Sequence, residues 1–330
     1  MKRLVLKSLK SLEFEESDIP VPPQGFSLLK VLCCAICKTD AKMWNQGHRD
    51  LVFPRVLGHE MVVEDSKQRY VVWPGQSCGS CRYCIEGREN LCNKIRITGF
   101  DHDGGFAEFV VVPNSSLVPL PPRAVIPDTI GCFAEPVGCV LNALSHLKLE
   151  PKERVLIYGG GTLGLIAALA CCNIGSTVCV IEKQEEKIEK ISPFVQKLES
   201  SFHNPNQPLD APIISCVKDT VESEFDAVIN CCADYTALNM AIIKAAKGGK
   251  ISFFSGISKN EHIETNLVNL LHYKEVEMTG VYGLTPKNML DAISFIEANI
   301  PFLQMLVEDV VMPQKAVELM PQILSGSSLK

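Results

Sequence analysis

From Val155 to Ile181 the chain runs twenty-seven residues without a charged side chain, and near its start stands Gly159-Gly160-Gly161-Thr162-Leu163-Gly164. An uncharged run of this length can cross a bilayer as one helix, and Gly160 with Gly164 even supplies a GxxxG packing pattern. The local chemistry points elsewhere. Three consecutive glycines, Gly175-Ser176 near the end and β-branched residues on both flanks predict strand, turn, buried helix, turn, strand. Within that order the glycines match G-x-G-x-x-G between a strand and a helix. Gly159 permits the turn, Gly161 lets the backbone approach a pyrophosphate at the helix N-terminus beside Thr162 and Leu163, and Gly164 allows close packing of helix on strand. A dinucleotide site is therefore expected. The second strand, Thr177 to Ile181, leads into Glu182, whose carboxylate can accept hydrogen bonds from both adenosine ribose hydroxyls and would repel a 2′-phosphate. NAD is favoured over NADP on that ground.

The flanking sequence extends the alternation. A strand is predicted at Asp226 to Asn230, a helix from Tyr235 to Ala246, Gly248-Gly249 past the helix end, and strands at Lys250 to Phe254 and Val276 to Val281, which completes a doubly wound sheet. Ser192-Pro193 predicts a helix break and restart, and residues 201 to 212 read as an irregular connection. Upstream, residues 1 to 36 hold short apolar runs separated by Pro20, Pro22, Pro23 and Gly25, a β-rich pattern. With 330 residues and 46% hydrophobic content, two domains are expected.

A second feature demands metal. Cys78, Cys81, Cys84 and Cys92 follow C-x2-C-x2-C-x7-C, spacing that lets one tight loop close a tetrahedron of thiolates around zinc. Some iron-sulfur proteins share part of this spacing, but an electron-transfer protein would leave the glycine turn unexplained. Elsewhere Cys37-Lys38-Thr39-Asp40, a polar loop at Asn45 to Asp50, and Gly58-His59-Glu60 bring a cysteine, a histidine and a carboxylate, the donor types of a catalytic zinc with one open position. Alone, such a Cys is more often core filler and such a His a hydrogen-bonded surface group. Beside the cysteine loop the weighting inverts. Net charge is -6 with no dense Lys/Arg run, which argues against nucleic acid and for small ligands. Fifteen cysteines, an odd number, and Lys7 and Lys10 interrupting the apolar residues of the opening segment point to a reducing cytoplasm rather than a secreted scaffold or a membrane anchor.

Taken in order, Cys37-x-Thr39-Asp40, Gly58-His59-Glu60, the four-cysteine loop, Asp103 to Glu108, Glu135-Pro136 and the glycine turn follow the order of the zinc-dependent medium-chain dehydrogenases/reductases. Over essentially its full length the chain resembles their polyol (sorbitol), butanediol and threonine dehydrogenase branch. Glu135-Pro136 selects that branch, because other alcohol dehydrogenases carry a cysteine at this position. The resemblance implies a GroES-like catalytic domain at residues 1–130, completed by 285–330, with a Rossmann domain at 131–284. It implies a catalytic zinc on Cys37, His59 and Glu135, with Glu60 as an exchangeable ligand, and a structural zinc on the four-cysteine loop. Thr39 would relay the alcohol proton, Asp40 would orient His59, and Lys38 and Lys187 would lie along the cofactor, a solvated surface lysine being the alternative for both.

Trp44, Phe100 and His102 are expected to border the substrate. Lys42, His48 and Arg49 form a basic cluster suited to an anionic substrate or, alternatively, a solvated loop. Three features depart from the family pattern: Lys42 replaces a histidine, Glu64 to Tyr70 is a shortened hairpin, and Ser325 to Lys330 resembles the segment just before a last strand that does not follow. The implied activity is oxidation by NAD of a secondary alcohol (a polyol, sugar derivative or hydroxy acid) or the reverse reduction, in a homodimer or homotetramer. An NAD-binding sensor or structural protein, or a zinc-free quinone reductase, would leave the intact ligand set without purpose.

Overall fold

The computed structural model describes residues 1–202, 214–215, 224–257 and 260–330. Most of the stretch 201–212, expected to be irregular, lies outside the described residues; its first two, Ser201 and Phe202, end a helix. Two compact units emerge, Met1–Cys139 with Gly283–Lys330, and Val140–Tyr282.

In the first unit, β1 (Lys2–Ser8) pairs antiparallel with β2 (Ser11–Glu16). Then come β3 (Phe26–Ala35), α1 (Lys38–Gln46), β4 (Arg55–Val56), β5 (Glu60–Glu64), β6 (Arg69–Val72), β7 (Gly75–Gln76), the short α2 (Arg82–Ile85), β8 (Arg96–Ile97), β9 (Phe109–Pro113), β10 (Leu117–Leu120), α3 (Asp128–Gly131) and the start of α4 (Ala134–Leu147), whose residues from Val140 belong to the second unit. Five of these strands form an antiparallel sheet in the order β10-β6-β5-β3-β9. β5 is central, so Met61, Val62 and Val63 are all buried, and it reads as a continuous apolar run instead of an alternating one. Leu32 is an extra residue in β3 opposite β5, a bulge that re-aims the strand just before Cys33 and Cys34. The loop expected from Asn45 begins later than the sequence suggests. Asn45 and Gln46 are the last residues of α1, which stops at Gly47 with φ +78°.

In the second unit, β11 (Arg154–Tyr158), α5 (Thr162–Ile174), β12 (Thr177–Ile181), α6 (Glu185–Phe202), β13 (Ile214–Ser215), β14 (Phe225–Asn230), α7 (Tyr235–Lys244), β15 (Ala245–Phe253), α8 (Thr265–Tyr273) and β16 (Glu277–Gly280) build a parallel sheet in the order β13-β12-β11-β14-β15-β16. This is the doubly wound order, with its switch point between β11 and β14. α5 carries no charge because it has no wet face: every residue from Gly164 to Cys172 is buried. Two expectations are corrected here. Pro193 does not break the helix; α6 continues through it, with Ser192 Oγ donating to Ile188 O at 2.7 Å instead of capping a new start. Proline costs one backbone bond, and buried Ile191, Phe194, Val195 and Leu198 hold the rod together by packing. Likewise Gly248-Gly249 lies inside β15, because Ala245 already pairs with Phe225 and Gly248, at φ +70°, accommodates the irregular register.

The chain returns to the first unit with α9 (Pro286–Leu303) and α10 (Pro313–Ser325), the latter packed on α1 and β2. Among the described residues one apolar run is long enough to cross a membrane, Asp128–Leu147, and most of it is buried inside the fold. The result is the α/β architecture expected, an antiparallel β-rich unit and a doubly wound parallel sheet.

Candidate active site

Three chain segments deliver the candidate metal-binding side chains of the first unit. Cys37 sits at the N-cap of α1, where its backbone N–H donates to the Asp40 carboxylate at 2.8 Å. His59 and Glu60 arrive at the start of β5, and Glu135 on the first turn of α4. The donor atoms of Cys37, His59 and Glu60 all lie within 4.8 Å of one another. Glu135 stands outside that group, yet near enough that Glu60 and His59 both act on its charge. Cys139, one helical turn on, donates its thiol to Glu135 Oε1 at 3.4 Å.

The electrostatics of this pocket suit a cation. Asp40 is fully buried, and its Oδ1 lies 3.5 Å from His59 Nδ1, which leaves the other ring nitrogen as the metal donor. Burial pulls the His59 pKa down, but the Asp40 carboxylate and the Cys37 thiol outweigh it and hold the imidazole well above its usual value. Burial and the neighbouring Glu60 charge push Glu135 up, against the opposing pull of His59 and Lys330. A sulfur, an imidazole and carboxylates converging in a buried pocket match the donor preferences of zinc.

Behind His59 the backbone is clasped by glycines. Gly58 has φ +94°, and a Cβ there would meet the Phe106 ring at 2.6 Å; a Cβ on Gly104 would come within 2.2 Å of the Gly58 carbonyl oxygen, and one on Gly99 within 3.0 Å. In front, Phe100 meets His59 edge-on at 5.4 Å between ring centroids, and His48 meets Phe100 at 5.2 Å.

One residue of this pocket escaped the sequence reading. Lys330 inserts its ammonium beside Glu60 in a buried ion pair, with side chains only 7% and 1% exposed. Burial alone would lower its pKa, but the charges of Glu60 and Cys37 raise it above the usual lysine range. The segment is pinned from behind, where Glu308 N–H donates to Lys330 O at 2.6 Å and the Glu308 carboxylate accepts from Leu329 N at 2.7 Å. Nothing local in the sequence separates Lys330 from a solvated lysine.

The remaining expected border residues divide. Trp44 packs against the core cluster around Leu4, Leu6 and Met43. His102 Nε2 lies 2.9 Å from Thr98 Oγ1, and burial, with Arg96 nearby, pulls its pKa down to about 4. Arg49 is 74% exposed and pairs with Asp50 at 3.2 Å, while burial lowers the His48 pKa. The basic cluster is thereby partly neutralised by its own loop.

The four-cysteine loop forms a second group that could hold a metal ion. The sulfurs of Cys78, Cys81, Cys84 and Cys92 lie within 4.8 Å of one another, and the Cys92 sulfur accepts from the backbone N–H groups of Cys78 at 3.3 Å and Lys94 at 3.4 Å. Backbone hydrogen bonds from Ser80 and Cys81 bring the Cys78 thiol down to about 6, so it ionises readily to a ligand.

In the second unit the turn after β11 has the form a pyrophosphate requires. Gly159 has φ +103°, Gly161 caps α5, and a Cβ on Gly164 would fall 1.8 Å from Gly159 O. Thr162 and Leu163 open the helix. Glu182 accepts from the N–H groups of Gly160 at 3.0 Å, Lys183 at 2.8 Å and Gln184 at 3.0 Å. Lys187 is buried, not solvated, and its ammonium lies 3.3 Å from the Glu182 carboxylate. The acid at the strand end is thus oriented by four donors of its own chain.

Known proteins resemble this chain in sequence and in fold. The alcohol dehydrogenase GroES-like domain family matches residues 23–122. The chain is 29% identical over 300 residues to L-galactonate-5-dehydrogenase of Escherichia coli K12, covering 87% of this chain and 85% of the relative. It is 28% identical over 303 residues to L-threonine 3-dehydrogenase of Rhizobium etli, covering 86% and 84%. Among solved structures, 2R,3R-butanediol dehydrogenase from Bacillus subtilis superposes with a TM-score of 0.83 at 20% identity, over 99% of this chain and 97% of that one.

Proposed function

This chain belongs to the zinc-type medium-chain dehydrogenases/reductases, with the polyol and threonine dehydrogenases as its relatives, and from that premise we propose that it exchanges hydride between NAD(H) and a secondary alcohol or ketone of the polyol, sugar-acid or hydroxy-acid class. The observation that carries the reading is the convergence of half-buried Cys37 with buried His59 and Glu60 within 4.8 Å. Cys37, His59 and Glu135 would hold the catalytic zinc, and Glu60 would stand by as an exchangeable donor kept in place by Lys330. Zinc bound there supplies a Lewis acid for the substrate oxygen. Asp40 would fix the His59 ring so that one nitrogen faces the metal. The Thr39 hydroxyl, two residues beyond Cys37, would take the alcohol proton and pass it on. Turnover measured by NADH absorbance across a panel of polyols, sugar acids and β-hydroxy amino acids tests the reading; no oxidation of any member by zinc-loaded protein, and no reduction of the matching ketones, would sink it.

Cofactor choice would rest on Glu182. Its carboxylate, held by the backbone of Gly160, Lys183 and Gln184, would receive ribose hydroxyls and repel a 2′-phosphate. Glu182→Ala should raise KM for NAD roughly tenfold, the equivalent of about 1.4 kcal/mol, and narrow the preference over NADP. Unchanged discrimination between the two would move the choice to another residue.

The four-cysteine loop would bind a structural zinc and leave no open position for substrate. Cys81→Ser should therefore lower zinc content by one equivalent per chain and the thermal midpoint by several degrees, with turnover retained below that midpoint. Elemental analysis and calorimetry check this, and loss of hydride transfer with an unchanged midpoint would contradict it. The family resemblance also supports a homodimeric or homotetrameric enzyme of the cytoplasm.

A further inference from the structure

A cavity of about 640 Å³ opens in the first unit apart from the candidate metal pocket: none of Cys37, His59, Glu60 and Glu135 lines it. Its charged and titratable wall is made by Arg3, Arg55, Arg96, His102, Asp18 and Asp103, and its apolar wall includes Phe26 and Phe109. Asp103 engages two of the arginines. It accepts from Arg55 Nη1 at 2.8 Å and lies 3.7 Å from Arg3 Nη1, while Arg3 Nη2 pairs with Glu15 at 2.7 Å. Three donors remain. Arg96 is exposed and has no carboxylate partner among the described residues. Arg55 Nε and His102 Nδ1 are both buried with no hydrogen-bond partner. The His102 ring is held from its other side, where Nε2 lies 2.9 Å from Thr98 Oγ1. Burial and the Arg96 charge bring its pKa down to about 4, so the ring is neutral at physiological pH. With the Thr98 hydroxyl donating to Nε2, the ring proton sits on Nδ1 and is free to be donated.

We propose that this cavity binds a small organic oxyanion, a carboxylate or a phosphate ester, whose oxygens accept from Arg96, Arg55 Nε and His102 Nδ1. An ionised carboxylate or phosphate offers acceptors without donors, which is what three unpaired donors on one wall call for. The planar guanidinium forks of Arg55 and Arg96 match the spacing of such oxygens. The volume falls within the range of about 300–1,000 Å³ usual for small-molecule sites, more than an inorganic ion fills, and Phe26 and Phe109 offer rings to an apolar body. Asp18, exposed on the same lining, opposes a second negative group and so favours a ligand with a single anionic end. Val56 and Gly104 also line the cavity, which makes its wall continuous with the glycine clasp behind His59. The site stands on its own geometry and is independent of the hydride-transfer reading.

The test is isothermal titration calorimetry of the zinc-loaded full chain at constant ionic strength, with phenyl phosphate, benzoate and the neutral benzamide as probes. Saturable binding of an anion at one site per chain is expected, with benzamide weaker by roughly tenfold or more, and the tighter of the two anions tells phosphate ester from carboxylate. Arg96→Ala should weaken that anion about tenfold, the loss of one charge-assisted contact. Arg49→Ala, in the other basic group, should leave the affinity unchanged. Hydrogen exchange of the unmutated protein should slow on anion binding at the amides of Val56 and Gly104, which bond to Asp103 and to Val56 itself. No saturable binding of either anion at millimolar concentration would overturn the proposal, as would equal affinity for benzamide. An affinity that Arg96→Ala leaves unchanged would do the same. The first two results are read on the unmutated chain, so they do not depend on how the variants fold.

Discussion

Cys37→Ala is expected to lower turnover about a thousandfold while leaving the fold intact. The side chain leaves the N-cap of α1 toward His59 and Glu60, and it provides the one sulfur of that group. Its backbone N–H, which pairs with Asp40, survives the substitution, so α1 keeps its start. What goes is a thiolate donor. Lewis-acid stabilisation of the transition state is worth several kcal/mol, and a loss of about 4 kcal/mol corresponds to a thousandfold in rate. The measurement is kcat/KM on the best substrate of the NAD-linked screen, with zinc content and circular dichroism on the same sample. Full turnover in a folded variant would remove Cys37 from the metal. A pH dependence follows from the same pocket. His59, held above its usual value against burial by Asp40 and Cys37, and Glu135, pushed up by burial and Glu60, must both give up protons to bind metal. Zinc affinity should therefore fall as pH is lowered, and more steeply than an ordinary histidine would dictate.

Lys330→Ala carries the second large effect. With both partners almost fully buried, removing the ammonium leaves the Glu60 carboxylate without its counter-charge in a dry pocket, a change that costs about 3 kcal/mol. Denaturant unfolding of the metal-free protein should show this loss, and Lys330→Met combined with Glu60→Gln should recover most of it. An unshifted unfolding midpoint for the single variant would mean that water reaches Glu60. The sign of the pH dependence is fixed by the direction of the shift. Lys330 is raised in the folded state, so its contribution is complete below the unfolded lysine value of about 10.4 and is lost only as pH climbs through the higher folded value. The gap between wild type and variant should be level through neutral pH and close only in strong alkali.

How much of this was legible in the sequence depends on distance along the chain. The glycine turn and the cysteine loop are written locally: Gly164 is a glycine because a Cβ would strike Gly159 O, and four thiols within fifteen residues have few uses besides metal. Cys37 and His59 were found because each carries a short motif around it. Pro193 misled because a local rule was overridden by packing, the buried face of α6 outweighing one missing hydrogen bond. Lys330 was missed for the opposite reason. A lysine among serines looks solvated, and only its approach to Glu60, far away in sequence, makes it a buried ion.

The glycines behind His59 set a limit on how this protein can be redesigned. A Cβ on Gly104 would come within 2.2 Å of the Gly58 carbonyl oxygen and force that backbone to shift, one on Gly99 would crowd the same oxygen at 3.0 Å, and one on Gly58 would strike the Phe106 ring. A mutational library that samples those positions spends its members on displaced metal donors. Phe100, whose ring meets His59 edge-on, is itself buried in the core cluster with Leu57 and Phe106, whereas the His48 side chain beside it is 31% exposed. Variation aimed at altered substrate preference should therefore begin at His48 and leave both the glycine clasp and the Phe100 core position fixed.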